Sequence, residues 1–240
     1  ISISLGMVLA WAVVRSKMPG KQVFILLFTL PMLIPSISHG MGLIILLGAN
    51  GVLTNLLGLQ SSVYGFSGLV MGSVMYAFPV AFLMLSDVLK YEDSTPYEAA
   101  SVLGITRYRQ FTAITLPYLR RPLISAVFAV FTMVITDYGV PLMVGGQYTT
   151  LPVMMYQDVI GLLDFGKGSV IGVVLLFPAF IAFILDIINQ ERGNPYFTPK
   201  PFELRKSRNR DAAALSVSLL VALFVLLPII SFGLLTFVEK

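Results

Sequence analysis

Apolar residues in this chain gather into long unbroken runs, where a soluble amphipathic helix would place them every three to four positions. The runs cover 1–14, 23–47, 66–86, 122–144, 169–188 and 212–237. A helix crossing a bilayer needs about 20 apolar residues, and all the runs but the first reach that length. Backbone exposed to lipid must satisfy its own hydrogen bonds, and the alternation of a membrane barrel strand is missing. The pattern therefore predicts an all-α, polytopic transmembrane helical bundle. Pro31, Pro35, Pro79, Pro141, Pro178 and Pro228 fall inside the runs, where a membrane helix carries proline as a kink. The run 1–14 reads as a span cut at its start. A signal peptide fits less well, because Arg15 and Lys17 follow the run and no basic segment precedes it.

The connections give the orientation. Fourteen of the 16 Lys and Arg lie in three alternate connections: Arg15, Lys17 and Lys21; Lys90, Arg107, Arg109, Arg120 and Arg121; Arg192, Lys200, Arg205, Lys206, Arg208 and Arg210. The connection 48–65 carries no charge, and the one after the fourth run carries only Asp158, Asp164 and Lys167. Basic connections face the cytoplasm, so 87–121 and 191–211 are expected inside. Composition agrees with a membrane protein: 57% of the 240 residues are hydrophobic, 12% are charged, and mean hydropathy is +0.87. Cysteine is absent and there is one histidine, which excludes disulfides, thiolate metal sites and a His cluster. No paired carboxylates or Ser/His/Asp set occur within the runs, so neither catalytic nor metal-binding residues are expected, and no cofactor.

The stretch GLLDFGKGS, Gly161 to Ser169, approaches a phosphate-binding loop. That motif requires Ser or Thr directly after the lysine, and here Gly168 follows Lys167. With no strand leading in and an outside location, the stretch reads as a glycine-rich turn into the helix 169–188.

The inside connection 87–121 carries the strongest signals. Thr95 as N-cap, Pro96 at the first helical position and Glu98 three residues after the cap spell a capping box. Gly104 stops that helix, Thr106 caps a second in which Phe111 and Ile114 share a face, and Pro117 precedes the next span. A helix, a glycine and a helix held along the cytoplasmic surface form a shape suited to docking.

Glu98-Ala99-Ala100, three residues, Gly104, nine residues, then Ile114-Thr115-Leu116-Pro117 resembles the EAA loop of binding-protein-dependent ABC importer permeases. The resemblance implies that Glu98, Ala99, Ala100, Gly104, Ile114, Leu116 and Pro117 couple to a separate ABC ATPase subunit dimer. It further implies an extracytoplasmic solute-binding protein as partner, alternating access as mechanism, no enzymatic activity in this chain, and a multi-pass location in the cytoplasmic membrane of a prokaryote. The resemblance covers about 1–190 as one permease unit lacking its first span or spans. The basic linker 191–211 and the apolar run within 212–240 are similar to the tandem-fused permeases of the ferric iron, phosphonate and polyamine group, in which 212–240 opens a second permease unit; the alternative is an ordinary extra C-terminal helix, with the second permease unit a separate chain. Ferric iron, phosphonate and polyamine then stand as alternative cargo classes. The rival reading is a secondary carrier or channel not coupled to ATP.

Candidates for the pathway are few. Asp137 is the one acid well inside a run, either lining the route or capping the turn at Gly139 and Pro141. The surrounding TDYGVP resembles a segment of the ferric and phosphonate permeases, and Tyr138 is taken with it. His39, in PSISHGMG, either packs through hydrogen bonds or lines a broken helix facing a cavity. Gly68 with Gly72, and Gly168 with Gly172, have the spacing that lets helices approach closely. Asp87 and Asp186 sit at cytoplasmic helix ends. The basic linker is read as held against anionic headgroups of the bilayer, with no nucleic acid as partner.

Overall fold

The computed structural model describes residues 1–58, 63–189, 200, 202, 204 and 206–234. Among them are twelve α-helices and no strand, the all-α bundle that the long apolar runs require. Five helical stretches are long and apolar enough to cross a membrane: Ser36–Leu57, Phe66–Lys90, Arg107–Thr136, Phe165–Asn189 and Arg208–Leu234.

Helix α1 (Ser2–Arg15) lies along α5 (Phe66–Lys90), and Gly6 makes this possible: a Cβ there would stand 2.8 Å from both the Ala81 Cβ and the Phe82 amide nitrogen. Their seam is the main core. Leu9, Phe28, Phe78, Phe82, Leu85 and Leu119 are fully buried in it, and the Phe28 and Phe82 rings meet edge to face at 5.3 Å.

The run 23–47 departs from one continuous helix. It forms α2 (Lys21–Thr29), a 3₁₀ turn (Leu30–Leu33), an extended residue at Ile34, and α3 (Ser36–Leu47). Pro35 removes a donor and disfavours helical geometry in the residue before it. Pro79, Pro178 and Pro228 remain inside α5, α11 (Phe165–Asn189) and α12 (Arg208–Leu234). The run 122–144 also breaks. α8 (Leu116–Thr136) ends at Asp137, and Pro141 falls in a separate short helix, α9 (Gly139–Val144), that turns back onto α3 and α5. Short α4 (Val52–Leu57) follows α3.

The glycine pairs serve these approaches. Gly72 admits Val140 of α9 and Gly68 admits Val63 and Val144, while Gly168 and Gly172 face Val159 and Met155 of the segment formed by α10 (Leu151–Tyr156) and the π turn Gln157–Gly161. The near-phosphate loop is a helix start: the Asp164 carboxylate accepts the Lys167 amide at 3.0 Å and pairs with its ammonium at 3.3 Å, and α11 begins at Phe165.

The three connections rich in basic residues meet on one side of the bundle, through Arg15 with Glu92, Lys17 with Asp211 and Lys200 with Glu98. The other connections meet on the opposite side, where the Gly65 amide donates to the Val144 carbonyl at 2.8 Å. Helix α12, covering most of the run 212–237, seats on α1, α2 and α3. In the linker 191–211, residues 191–199, 201, 203 and 205, with Arg192 and Arg205 among them, lie outside the described residues, as do 235–240. At the α3–α12 crossing a Cβ on Gly42 would collide with the Pro228 carbonyl, which is backbone and has no rotamer to yield. Gly42→Ala is expected to cost about 1–3 kcal/mol, read as a lower midpoint in thermal unfolding of the detergent-solubilised protein; an unchanged midpoint would contradict this crossing.

Candidate functional site

On the basic side, α6 (Thr95–Val102) and α7 (Arg107–Gln110) form the helix–glycine–helix tip. Gly104 ends α6 in left-handed geometry, φ +70°. The Ile105 amide donates to the Ala100 carbonyl at 2.9 Å and the Gly104 amide to the Ser101 carbonyl at 3.1 Å. This paired closure satisfies the last carbonyls of α6 and sets the angle of the tip. The Gln110 amide group clips the turn from the other side by donating to the Ile105 carbonyl at 2.9 Å and the Ser101 hydroxyl at 3.3 Å.

The expected capping box does not form. Thr95 is the first residue of α6, and its amide and hydroxyl both donate to the Asp93 carboxylate, at 3.1 and 2.9 Å. Glu98 turns instead to the Ser94 hydroxyl at 3.2 Å and to the Lys200 ammonium at 2.8 and 2.9 Å. An ionised partner makes the stronger bond to a carboxylate than a neutral amide does. Hydrogen bonding from Lys200, above all, holds Glu98 below the usual carboxylate range. A depressed pKa means the pair is complete above the ordinary carboxylate value and is lost as pH falls through the depressed one, so it is intact at neutral pH. Thr106 does precede α7, but α7 is no separate helix. It runs through a π turn (Phe111–Thr115) directly into α8. The wider turn lies just ahead of Pro117, which has no amide to give and whose ring crowds the carbonyl four residues back.

The residues predicted to couple divide by face. Ala100 is buried and Ile114 half-buried, turned toward the bundle with fully buried Thr115; Glu98, Ala99, Gly104, Leu116 and Pro117 are exposed. The most exposed apolar groups are ones the sequence reading passed over: Val102 is 88% exposed, Leu103 75% and Tyr108 79%, with Arg107 and Arg109 exposed beside them. Their signal was available, as three large apolar side chains around a helix-stopping glycine in a water-facing connection.

Beneath the tip lies a buried polar hub. The Arg15 guanidinium and the Glu92 carboxylate pair with side chains 7% and 3% exposed. The Tyr97 hydroxyl donates to Glu92 and shares a hydrogen bond with the Thr115 hydroxyl. Burial, then the bond to Glu92, pushes the Tyr97 phenol up, so it keeps its proton as donor. The Phe202 ring covers the Arg15 guanidinium at 3.4 Å and meets the Tyr97 ring at 4.9 Å. Arg15, read from sequence as an orientation charge, is therefore also a structural one.

Toward the opposite side, Asp137 caps α9. Its two carboxylate oxygens accept the Gly139 and Val140 amides, each at 3.2 Å. His39 is fully buried; its Nδ1 bonds the Pro35 carbonyl at 3.3 Å, its Nε2 has no protein partner, and its ring stands edge-on to Tyr76 at 6.2 Å. Gly139 abuts Ser36 and Ile37, so the broken ends of α3 and α8–α9 meet, bringing Asp137 and His39 into one neighbourhood. Tyr138 stacks on Tyr156 at 5.4 Å.

Tyr76 also lines a cavity of about 400 Å³ between α5, α8 and α11, with Ser125, Thr132, Thr136 and Asp186 along its walls. Met84 and Ser125 also line a larger one of about 850 Å³, whose lining includes Asp87, Arg120, Arg121 and Asn189. The two hollows lie in sequence along α8, hydroxyls lining the first and charge the second, on the side of the bundle that carries the basic connections. Among the described residues no group of three or more His, Asp and Glu side chains is placed to hold a metal ion.

Residues 2–192 match the family model described as binding-protein-dependent transport system inner membrane component. Over 187 residues the chain is 28% identical to the ferric transport system permease protein FbpB of Actinobacillus pleuropneumoniae, covering 74% of this chain and 27% of that protein. The thiamine transport system permease protein ThiP of Brucella abortus is 26% identical over 228 residues, 90% of this chain and 41% of its own length. The molybdenum transport system permease protein ModB of Azotobacter vinelandii is 27% identical over 187 residues, 75% of this chain and 83% of its own. The chain thus spans well under half the length of the ferric and thiamine permeases it matches.

Proposed function

The chain belongs to the family of binding-protein-dependent transport system inner membrane components, and from that premise we propose that it is the membrane-spanning part of an ATP-driven importer whose ATPase is a separate subunit. It carries the solute route and the docking tip, and performs no chemistry of its own. The observation that carries this reading is the tip: between the residues spaced as in an EAA loop, 98–100, Gly104 and 114–117, α6 and α7 hold Val102, Leu103 and Tyr108 out to water, while Ala100 and Thr115 anchor it to the bundle. Exposed apolar groups on a rigid turn, flanked by Arg107 and Arg109, fit a cleft in a partner protein.

ATP-driven closure of the partner dimer displaces the tip, and the bundle alternates between facing the cytoplasm and facing an external solute-binding protein. The route follows the two hollows from Tyr76 and Thr136 to Arg120 and Arg121, with the Asp137 and His39 neighbourhood at its outer end. A second permease unit, opened by α12 in the same chain, completes the assembly. The cargo is a small solute; the ferric iron, phosphonate and polyamine classes fit the resemblance alike.

The absence of cysteine makes a clean test. Ala100 is only 5% exposed, so the crosslinking residue belongs at Val102. Val102→Cys in native membranes is expected to capture an ATPase subunit with a yield that changes on adding ATP. Free labelling by a water-soluble thiol reagent, with no ATPase captured in either state, would replace this reading with an ATP-independent carrier.

A further inference from the structure

Two described residues of the linker before α12, Lys200 and Phe202, are bound against α6 and the end of α1. The Lys200 amide donates to the Asp93 carboxylate at 3.1 Å, and the Lys200 carbonyl accepts the Ser94 amide at 2.9 Å. The Lys200 ammonium holds Glu98, and the Phe202 ring lies on both Arg15 and Tyr97. Backbone and side chains thus grip the first turn of α6 from the linker. Six residues beyond Phe202, α12 begins. Its Asp211 accepts the Lys17 amide at 2.9 Å, just past the end of α1. The end of α1 is therefore bonded to the segment leading into α6 through Glu92 and to α12 through Asp211, and Lys200 and Phe202 add a third tie between α6 and α1.

We infer that Lys200 and Phe202 are positioning residues, a clasp that makes α6, the end of α1 and the start of α12 one mechanical body, so that displacement of the docking tip reaches α12 directly. The inference rests on the importer reading. Lys200 and Glu98 are both about half exposed, so that pair contributes little alone. The grip comes from the Phe202 ring over a desolvated guanidinium and from the backbone bonds at Asp93 and Ser94. A tip without the clasp would dock normally and transmit poorly.

Phe202→Ala is the test, in membranes also carrying Val102→Cys. ATPase capture at Val102 is expected to stay at the parental level, while solute moved per ATP hydrolysed falls about five- to tenfold. Phe202→Tyr, which keeps the ring, restores the ratio. A second measurement places spin labels at Ser101→Cys and Asn209→Cys. Their separation is expected to hold constant through the nucleotide cycle and to spread when Phe202 is Ala. An unchanged transport ratio in Phe202→Ala, or a label separation that shifts with nucleotide in the parent, overturns the clasp while the importer reading stands. Failure of Val102 to capture any ATPase overturns both.

Discussion

Glu92→Leu is expected to destabilise the protein by about 3–5 kcal/mol, because it leaves the Arg15 guanidinium buried without its carboxylate. The charge sits 7% exposed beneath the α6–α7 tip, and among the described residues its close acid is Glu92. Tyr97 would lose its acceptor in the same change. The midpoint of denaturant unfolding in detergent measures the effect. The double variant Arg15→Met with Glu92→Leu, which fills the same space with apolar groups, is expected to regain most of the loss, since well-packed apolar replacements of a buried pair are often neutral or better. A single Glu92→Leu variant within 1 kcal/mol of the parent would mean the pair is solvated in the working protein.

Leu103→Asp is expected to act in the opposite way, on function without stability. Leu103 is 75% exposed, so the unfolding free energy should change by no more than about 1 kcal/mol. Placed in the cleft of a partner, the charge is desolvated with no counter-ion, and loss of a central apolar anchor costs 2 kcal/mol or more, about 30-fold in affinity. Solute uptake should fall with it, and capture of an ATPase at Val102→Cys should fall in parallel. Uptake that survives Leu103→Asp would move the docking surface off the tip.

The long helices were legible in the sequence because lipid imposes a length and a composition that nothing else in a protein imitates. The same rule hid their breaks. Pro35 and Pro79 look alike inside apolar runs, yet α5 passes through Pro79 while the chain parts at Pro35, where Gly139 of another segment comes in against Ser36 and Ile37. Only the tertiary neighbour distinguishes them. In the docking loop, Gly104 and the spacing around it announced the turn, because a left-handed stop has one economical residue. The fate of Glu98 was not readable from its own surroundings. A capping box competes locally, and what displaced it was a lysine 102 residues away. The hub was equally hidden, since Arg15 in an apolar chain also reads as an orientation charge, a role that its burial does not contradict.

That double role has a consequence in time. Arg15 and Glu92 are separated by 77 residues, and at 5–20 residues per second a ribosome takes roughly 4 to 15 s to add them. Throughout that interval the guanidinium lacks the carboxylate that pairs with it in the fold, and a positive charge on a connection favours its end of a helix staying in the cytoplasm. Once the helix bearing Glu92's connection has inserted, the same charge can be withdrawn from water without altering an orientation already settled. One residue can thus serve twice, as an address before Glu92 is made and as a rivet in the finished fold, where Arg15 is buried against it.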